Sequence, residues 1–231
     1  MSITTYSRLD IDKAAVLFVD HQSGLLSLVN DIAPDEFRNN VSALVSITNF
    51  FKLPTVLTSS MESGPNGPIL PYIKDNLSPY AYVQRDGEIN AWDNEKFRNA
   101  IYDLVKKEKR TQFILAGVVT EVCVGFVALS LLHEKQYNPL MKDIEVFVAV
   151  DASGTSSTLV RDAVWNRITK AGAQGAELMT WFGIACELRR NWHPEEDNHN
   201  VAMAGFAQLV ADHSTQYTNV MSSYNAAKNI G

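Results

Sequence analysis

The chain has 231 residues, of which 46% are hydrophobic and 20% charged, and its formal net charge is −6. This composition predicts a globular protein with a full core, and the acidic balance argues against nucleic-acid or anionic-membrane partners. Two distant cysteines form neither a disulfide framework nor a metal knuckle. No stretch is long and apolar enough to span a membrane and the start lacks a signal-peptide pattern, so we expect a cytoplasmic protein.

The first half of the chain alternates short apolar runs with segments of helical periodicity. The run 14–19 is continuously apolar, which is typical of a strand buried on both faces of a parallel sheet. Residues 54–58 and 81–84 predict two further strands. Residues 34–51 and 93–107 carry apolar positions at helical spacing and predict helices.

The same alternation continues in the second half. An apolar run at 112–115 predicts a strand, and the segment that follows it is apolar all round, which indicates a buried helix. The elements predicted from there on are a helix at 124–133, a strand at 144–150, a helix at 158–171, a strand at 178–181, and helices at 184–192, 201–212 and 216–228.

Helices between buried strands predict a three-layer α/β/α, Rossmann-like fold with a mostly parallel sheet of about six strands. We expect residues 1–231 to form a single domain, with the C-terminal helices from about residue 201 at an oligomer interface. Asp20, Arg85, Cys123 and Asp151 each follow a predicted strand, as does the segment 59–62. Because ligands bind beyond the carboxyl ends of parallel strands, we expect a site at this edge of the sheet.

Cys123 lies where a strand gives way to a helix, with Thr120 as the expected N-cap. The amides and dipole of a helix N-terminus favour a thiolate and can hold an oxyanion. Asp20 is the expected base toward the thiol, and Arg85 is a cation that would favour the thiolate. Each residue also has an ordinary alternative: Cys123 in the core, Asp20 capping a turn, Arg85 on the surface and Asp151 packing locally.

Two motifs carry a resemblance to a known family. Residues 16–22 (VLFVDHQ) and 117–124 (GVVTEVCV) resemble the isochorismatase-like cysteine hydrolases. Segments 63–68, 89–94, 151–155 and 179–183 are similar to the YcaC-type branch of that superfamily. The resemblance covers nearly the whole chain, and its motifs are specific in combination.

The resemblance implies a catalytic triad of aspartate, lysine and cysteine. Asp20 and Cys123 match it, and Arg85 aligns with the lysine, although an arginine stays charged and cannot shuttle a proton. The family's non-proline cis peptide would join Val118 to Val119. It would turn the Val119 amide inward to form an oxyanion hole with the Cys123 amide.

The expected wall of the substrate pocket comes from loops around the triad. The residues predicted to bind substrate are Gln22, Glu62, Asn90, Trp92 and Val118. Nicotinamidases carry an Asp-x-His metal motif after the second strand, whereas this chain has SSME at 59–62. We therefore expect no catalytic metal and no other cofactor.

These features predict a metal-independent cysteine hydrolase that acts on a C–N bond of a small amide or carbamoyl compound through a thioester at Cys123. The alternative is a catalytically silent or redox-active binding or scaffold protein with the same fold, which the replacement of lysine by Arg85 motivates. The resemblance also implies a homo-oligomer, a tetramer or an octamer. The expected partners are a small-molecule substrate and further copies of the chain.

Overall fold

The structure is a computed structural model that describes residues 6–172, 174–192 and 203–228. Six strands form one parallel sheet with the order β3-β2-β1-β4-β5-β6. The strands are β1 (Ala14–Val19), β2 (Thr55–Ser60), β3 (Ala81–Arg85), β4 (Gln112–Gly117), β5 (Glu145–Ala149) and β6 (Glu177–Met179). All of them lie where the sequence predicts strands, and two predicted segments extend by two residues at the end that carries the site.

Helices connect the strands and continue past the last one. The helices are α1 (Pro34–Phe50), α2 (Pro71–Lys74), α3 (Glu95–Lys106), α4 (Gly125–Tyr137), α5 (Thr158–Thr169), α6 (Trp181–Arg189), α7 (Met203–His213) and α8 (Thr215–Lys228). Short helical turns flank them at Leu25–Leu28, Ala91–Asp93, Thr120–Val124 and Val150–Ala152. Residues 201 and 202, the predicted start of the helix observed as α7, lie outside the described residues.

Two hydrophobic clusters cover the two faces of the sheet. Alternate side chains of a strand point to opposite faces, so Val16 and Phe18 of β1 pack in the cluster with α1, α6 and α7. Leu17 and Val19 pack in the other cluster, with α3, α4 and α5. The predicted three-layer α/β/α arrangement is confirmed. Within the described part of the chain, no helix is long and apolar enough to cross a bilayer.

Two predicted helix starts are wrong. Thr120 is not an N-cap, because the helical turn begins at Thr120 itself and no side chain caps it. The helix predicted to begin at residue 184 begins at Trp181, because the side chain of Thr180 accepts a hydrogen bond from the Gly183 amide and caps the first turn.

The direction of strand addition reverses between β1 and β4. From β1 the chain adds β2 and β3 on one side, and it then returns to add β4, β5 and β6 on the other side. Val19 at the end of β1 pairs with Gly117 at the end of β4. The loops after these strands therefore diverge and leave a crevice at this point, which is where ligands bind in open α/β sheets.

His21 connects the end of β1 to the turn after β5. Its ring is fully buried against Phe18 and Phe37, and its Nε2 lies 3.0 Å from the carbonyl oxygen of Ala152. Burial lowers the pKa of His21 from 6.5 to about 4, so the imidazole is neutral in the folded protein at neutral pH.

We expect His21→Phe to change how stability depends on pH. The contribution of neutral His21 is complete above its unfolded pKa of 6.5 and is lost as the pH falls toward about 4. Between pH 7 and pH 4, the free energy of unfolding of the protein with His21 should therefore fall by about 3 kcal/mol more than that of the variant. Urea unfolding of both proteins at the two pH values measures this difference, and a difference that does not change with pH would contradict a buried neutral His21.

Candidate active site

Asp20 follows β1 directly and is almost completely buried. Its backbone has φ 58°, a left-handed conformation that aspartate tolerates better than most residues, and its amide donates to the Thr58 carbonyl at 3.0 Å. Its carboxylate accepts hydrogen bonds from the Arg85 guanidinium and from the Cys123 thiol. The alternative interpretation, in which the Asp20 side chain caps the following turn, is therefore wrong.

Arg85 is the last residue of β3 and reaches past β2 to Asp20. Its Nη2 lies 2.5 Å from each carboxylate oxygen of Asp20, and the two side chains are 0% and 2% exposed. Its Nε donates to Thr58 Oγ1 at 3.1 Å, and its Nη1 donates to the Glu88 carbonyl. The surface alternative for Arg85 is therefore wrong, because its charge is held inside the protein.

Burial and the ion pair have opposite effects on the pKa of Asp20, and burial is the larger effect. Burial raises the pKa of the Asp20 carboxyl, while the charge of Arg85 and the hydrogen bonds from Arg85 and Cys123 act in the opposite direction. A carboxylate whose pKa is raised is a better base than an exposed one.

Cys123 lies in the helical turn Thr120–Val124 between β4 and α4. Burial raises the pKa of its thiol well above the usual range, and the negative charge of Asp20 and the hydrogen bond to it act in the same direction. The Val119 amide and the Arg85 charge lower the pKa, but they are the smaller effects. The expectation that helix end and arginine favour a resting thiolate is therefore wrong: the proton stays on the sulfur.

The two predicted oxyanion-hole amides differ in their hydrogen bonds. The peptide bond between Val118 and Val119 is cis, at the position that the resemblance implies. The Val119 amide interacts with the Cys123 sulfur and donates to no oxygen among the described residues. The Cys123 amide instead donates to the Val119 carbonyl at 2.9 Å. Only the Val119 amide thus faces the sulfur without an oxygen partner.

A cavity of about 310 Å³ opens beside the triad. Asp20 and Cys123 contribute to its wall together with apolar and uncharged residues from the ends of, and segments after, the first four strands, β1 to β4. The apolar side chains are Leu25, Met61, Ile89, Val119 and Val122, and the remaining lining residues are Ser60, Asn66 and Gly87.

Two residues predicted to bind substrate hold the loops instead. Gln22 is buried and clamps Ser60: its Nε2 donates to the Ser60 carbonyl and its Oε1 accepts from the Ser60 amide, each at 2.9 Å. Glu62 accepts hydrogen bonds from the Tyr82 hydroxyl and from Gln84 Nε2. Neither residue lines the cavity, because its polar atoms are already paired with neighbouring segments.

The other predicted substrate residues also lie outside this cavity. Asn90 donates to Ser130 Oγ at 3.1 Å and accepts from the Trp92 amide at 3.1 Å, and both residues line a separate surface cavity on the α4 side. Val118 is fully buried in the hydrophobic core. These three residues do not line this cavity, because the chain turns away from it after Ile89 and Val118 is buried in the core. Their part in substrate binding stays a prediction.

Asp151 follows β5 but does not join the triad. Its two carboxylate oxygens accept from the Trp181 amide at 3.0 and 3.1 Å, which places it at the first turn of α6. Burial raises the pKa of Asp151 to about 6. Asp151 therefore neither joins the site nor packs only locally, because its partner Trp181 lies 30 residues further along the chain.

Sequence reasoning missed five of the ten residues that line the cavity: Leu25, Asn66, Gly87, Ile89 and Val122. Leu25 begins the helical turn Leu25–Leu28, whereas Asn66 and Gly87 come from irregular loops. Of the three, only Asn66 had a sequence signal, the glycine- and proline-rich composition of segment 64–68. Gly24 marks where two of these segments meet, because a Cβ there would lie 1.9 Å from the Pro65 carbonyl oxygen. Among the described residues, no group of three His, Cys, Asp or Glu side chains is placed to hold a metal ion.

This arrangement matches a known family. The isochorismatase domain family matches residues 14–181. The chain belongs to the isochorismatase family. It is 50% identical over 220 residues to a protein of Escherichia coli (strain K12) named Probable hydrolase YcaC, and the match covers 95% of each chain. This similarity places the chain in the YcaC-type branch.

Solved structures agree with this assignment. YcaC from Pseudomonas aeruginosa, solved with hexane-2,5-diol and covalent acrylamide, is 49% identical with a TM-score of 0.83, over 96% of this chain and 98% of that one. YcaC from Escherichia coli, described as an octameric hydrolase of unknown specificity, is 48% identical with a TM-score of 0.84, over 97% and 99%. A MAR1 ribonuclease from Caenorhabditis elegans, 19% identical with a TM-score of 0.70 over 89% and 93%, shares the fold.

The buried ion pair predicts a large effect of removing Arg85. We expect Arg85→Met to cost about 3–5 kcal/mol of unfolding free energy at pH 7, because it leaves Asp20 charged and buried without a partner. Arg85→Lys keeps the charge and should cost less. Urea unfolding measures both variants.

The matched control is Lys107→Met, which removes the exposed Lys107–Asp103 pair. We expect no measurable change in that variant, since exposed ion pairs contribute little. An Arg85→Met variant as stable as the control would contradict a buried charge at Asp20.

Proposed function

We propose that the chain is a metal-independent cysteine hydrolase that cleaves the C–N bond of a small amide or carbamoyl compound. The observation that carries this proposal is the Asp20 carboxylate, which is bonded to both Arg85 and the Cys123 thiol beside an open cavity. A nucleophile that is hydrogen-bonded to a base, with the base held by a third group, is the arrangement that covalent catalysis requires.

The first half of the reaction forms a thioester. Asp20 takes the thiol proton as the Cys123 sulfur attacks the substrate carbonyl carbon, and the carbonyl oxygen becomes an oxyanion. The C–N bond then breaks, and Asp20 returns the proton to the leaving nitrogen, which departs as ammonia or an amine. The acyl group remains on Cys123 as a thioester.

The second half restores the enzyme. Asp20 takes a proton from a water molecule as the water oxygen attacks the thioester carbon. The C–S bond breaks, the acid is released and the proton passes from Asp20 to the Cys123 sulfur. Each half thus uses Asp20 once as a base and once as an acid.

In this proposal Arg85 is a positioning residue for Asp20. A guanidinium stays protonated under ordinary conditions, so it compensates the negative charge whether that charge is on Asp20 or on the sulfur. The raised pKa of the Cys123 thiol fits this role, because it leaves the proton on the sulfur until Asp20 accepts it.

Backbone amides complete the proposed machinery. The Val119 amide, which faces the sulfur, is positioned as the principal donor to the oxyanion. The Cys123 amide would act as the second donor. Its N–H is hydrogen-bonded to the Val119 carbonyl in this structure, so it would divide its hydrogen bond between that carbonyl and the oxyanion. The oxyanion hole therefore depends more on Val119 than the resemblance implies.

The residues at the end of β2 and directly after it support a reaction without a metal. Ser60 and Met61 line the cavity and supply neither a carboxylate nor an imidazole. Glu62 is the nearest acid in this segment, and its carboxylate is paired with Tyr82 and Gln84.

Two relatives support the proposal. The Escherichia coli relative is named a probable hydrolase, and the Pseudomonas aeruginosa relative holds covalent acrylamide. Acrylamide is an electrophile, so a covalent adduct requires a reactive nucleophile in that protein, and a thiol is the natural candidate.

We also propose that this chain forms a homo-oligomer, as its octameric relative does. Trp192 packs on Phe206 and Tyr217, and the outer face of α8 leaves Val220 and Tyr224 exposed. Exposed apolar side chains on a terminal helix suit a contact between copies.

The proposed thioester can be trapped. We expect ammonia release from a panel of small amides, and a mass increase on the Cys123 peptide that neutral hydroxylamine removes. Cys123→Ala should abolish both signals, and Asp20→Asn should lower the turnover rate at least about 100-fold because proton transfer is lost. Mass spectrometry and an ammonia assay measure these outcomes.

The matched control is Cys186→Ser, which removes the other free thiol and should leave turnover unchanged. Hydrolysis that persists in Cys123→Ala would rule out the cysteine mechanism and favour the binding or scaffold alternative.

A further inference from the structure

The candidate cavity contains almost no charged side chains. Among its lining residues, all of which the structure describes, only Asp20 carries a charge, and that charge is negative. Arg85 is the cation beside it, but each of its three nitrogens already donates: to Asp20, to Thr58 and to the Glu88 carbonyl. A carboxylate on a bound substrate would lose its hydration beside an ion pair whose charges already compensate each other, and no lining cation would pair with it.

The walls of the cavity are apolar. Leu25, Met61, Ile89 and Val122 line the cavity with Cys123, and Met61 and Ile89 are 48% and 70% exposed. Large exposed apolar side chains around a concave site mark a surface that binds an apolar group. The volume of about 310 Å³ is small for a ligand pocket, for which about 300–1,000 Å³ is usual.

One uncharged polar group suits the nitrogen of an amide. Asn66 Nδ2 donates to the Ser60 carbonyl at 3.0 Å, which orients the amide and leaves its Oδ1 as an acceptor. No described residue donates a hydrogen bond to that oxygen. A primary amide has two N–H donors, so Asn66 Oδ1 can accept one of them.

We infer that the site selects small uncharged amides with an aliphatic acyl chain and excludes amides that carry a carboxylate. This inference rests on the proposed function and adds its substrate class. Ile89, at the rim, is the position where a single charge would change that selection.

Three probes test the inference: butyramide, succinamide and succinamate. Succinamide and succinamate have the same number of heavy atoms and differ in charge. We expect butyramide and succinamide to be hydrolysed, and succinamate to have a kcat/KM at least about 100-fold below that of succinamide. Succinamate turnover equal to that of succinamide would overturn the inference.

A positive charge introduced at the rim of the cavity provides a second test of the inference. Ile89→Lys should raise the succinamate-to-succinamide ratio of kcat/KM at least about tenfold, because it adds the missing cation. The control is Leu159→Lys, which makes the same charge change on the exposed surface of α5 and should leave the ratio unchanged. Equal ratios in both variants would overturn the inference.

Alkylation separates this inference from the proposed function. In a Cys186→Ser background, iodoacetamide and iodoacetate modify Cys123 without hydrolysis. We expect the ratio of the alkylation rate with iodoacetamide to that with iodoacetate to be at least about tenfold higher for Cys123 than for free cysteine. If no amide is hydrolysed but this preference is present, the proposed function fails and the charge selection stands. An alkylation ratio equal to that of free cysteine overturns the selection.

Discussion

The buried ion pair between Asp20 and Arg85 is the interaction on which the site depends. Two charges removed from water are tolerated only when each is closely paired and hydrogen-bonded. The chain meets this requirement with the left-handed backbone of Asp20, the Thr58 hydroxyl on β2 and the Glu88 carbonyl after β3. Because Arg85 ends a strand two positions from β1, the parallel register of three strands determines where the pair lies.

That pair also constrains the chemistry beside it. In the proposed mechanism the triad holds one permanent positive charge, one negative charge and one proton shared between Asp20 and Cys123. Burial and the Asp20 charge hold the proton on the sulfur, so the nucleophile forms only as the carboxylate accepts the proton. Because Arg85 is already paired with Asp20, it is not available to bind a charged substrate. The same ion pair therefore accounts for the uncharged substrates inferred for the apolar cavity.

The sequence predicted the sheet and the proximity of the three candidate catalytic residues because both follow from local pattern. Continuous apolar runs are typical of strands buried on both faces, and residues after such strands meet at one edge, which brought Asp20, Arg85 and Cys123 together. The rest of the cavity wall was not predictable in this way, because Leu25, Asn66 and Ile89 lie several residues beyond the strand ends, in segments whose course depends on tertiary contacts such as that of Gln22 with Ser60. The prediction of a resting thiolate at Cys123 was also wrong, because burial raises the pKa of the thiol more than the end of the helix lowers it.

The most direct test of this account is the pH dependence of Cys123 alkylation by iodoacetamide, with Cys186 replaced by serine. The account predicts an apparent pKa above the ordinary thiol value of about 8.5 in the parent. In folded Asp20→Asn protein it predicts a lower pKa, because Arg85 then faces the sulfur without an opposing negative charge. A parental pKa well below the ordinary value, or a pKa that is unchanged or higher in Asp20→Asn, would contradict the shared charge and proton.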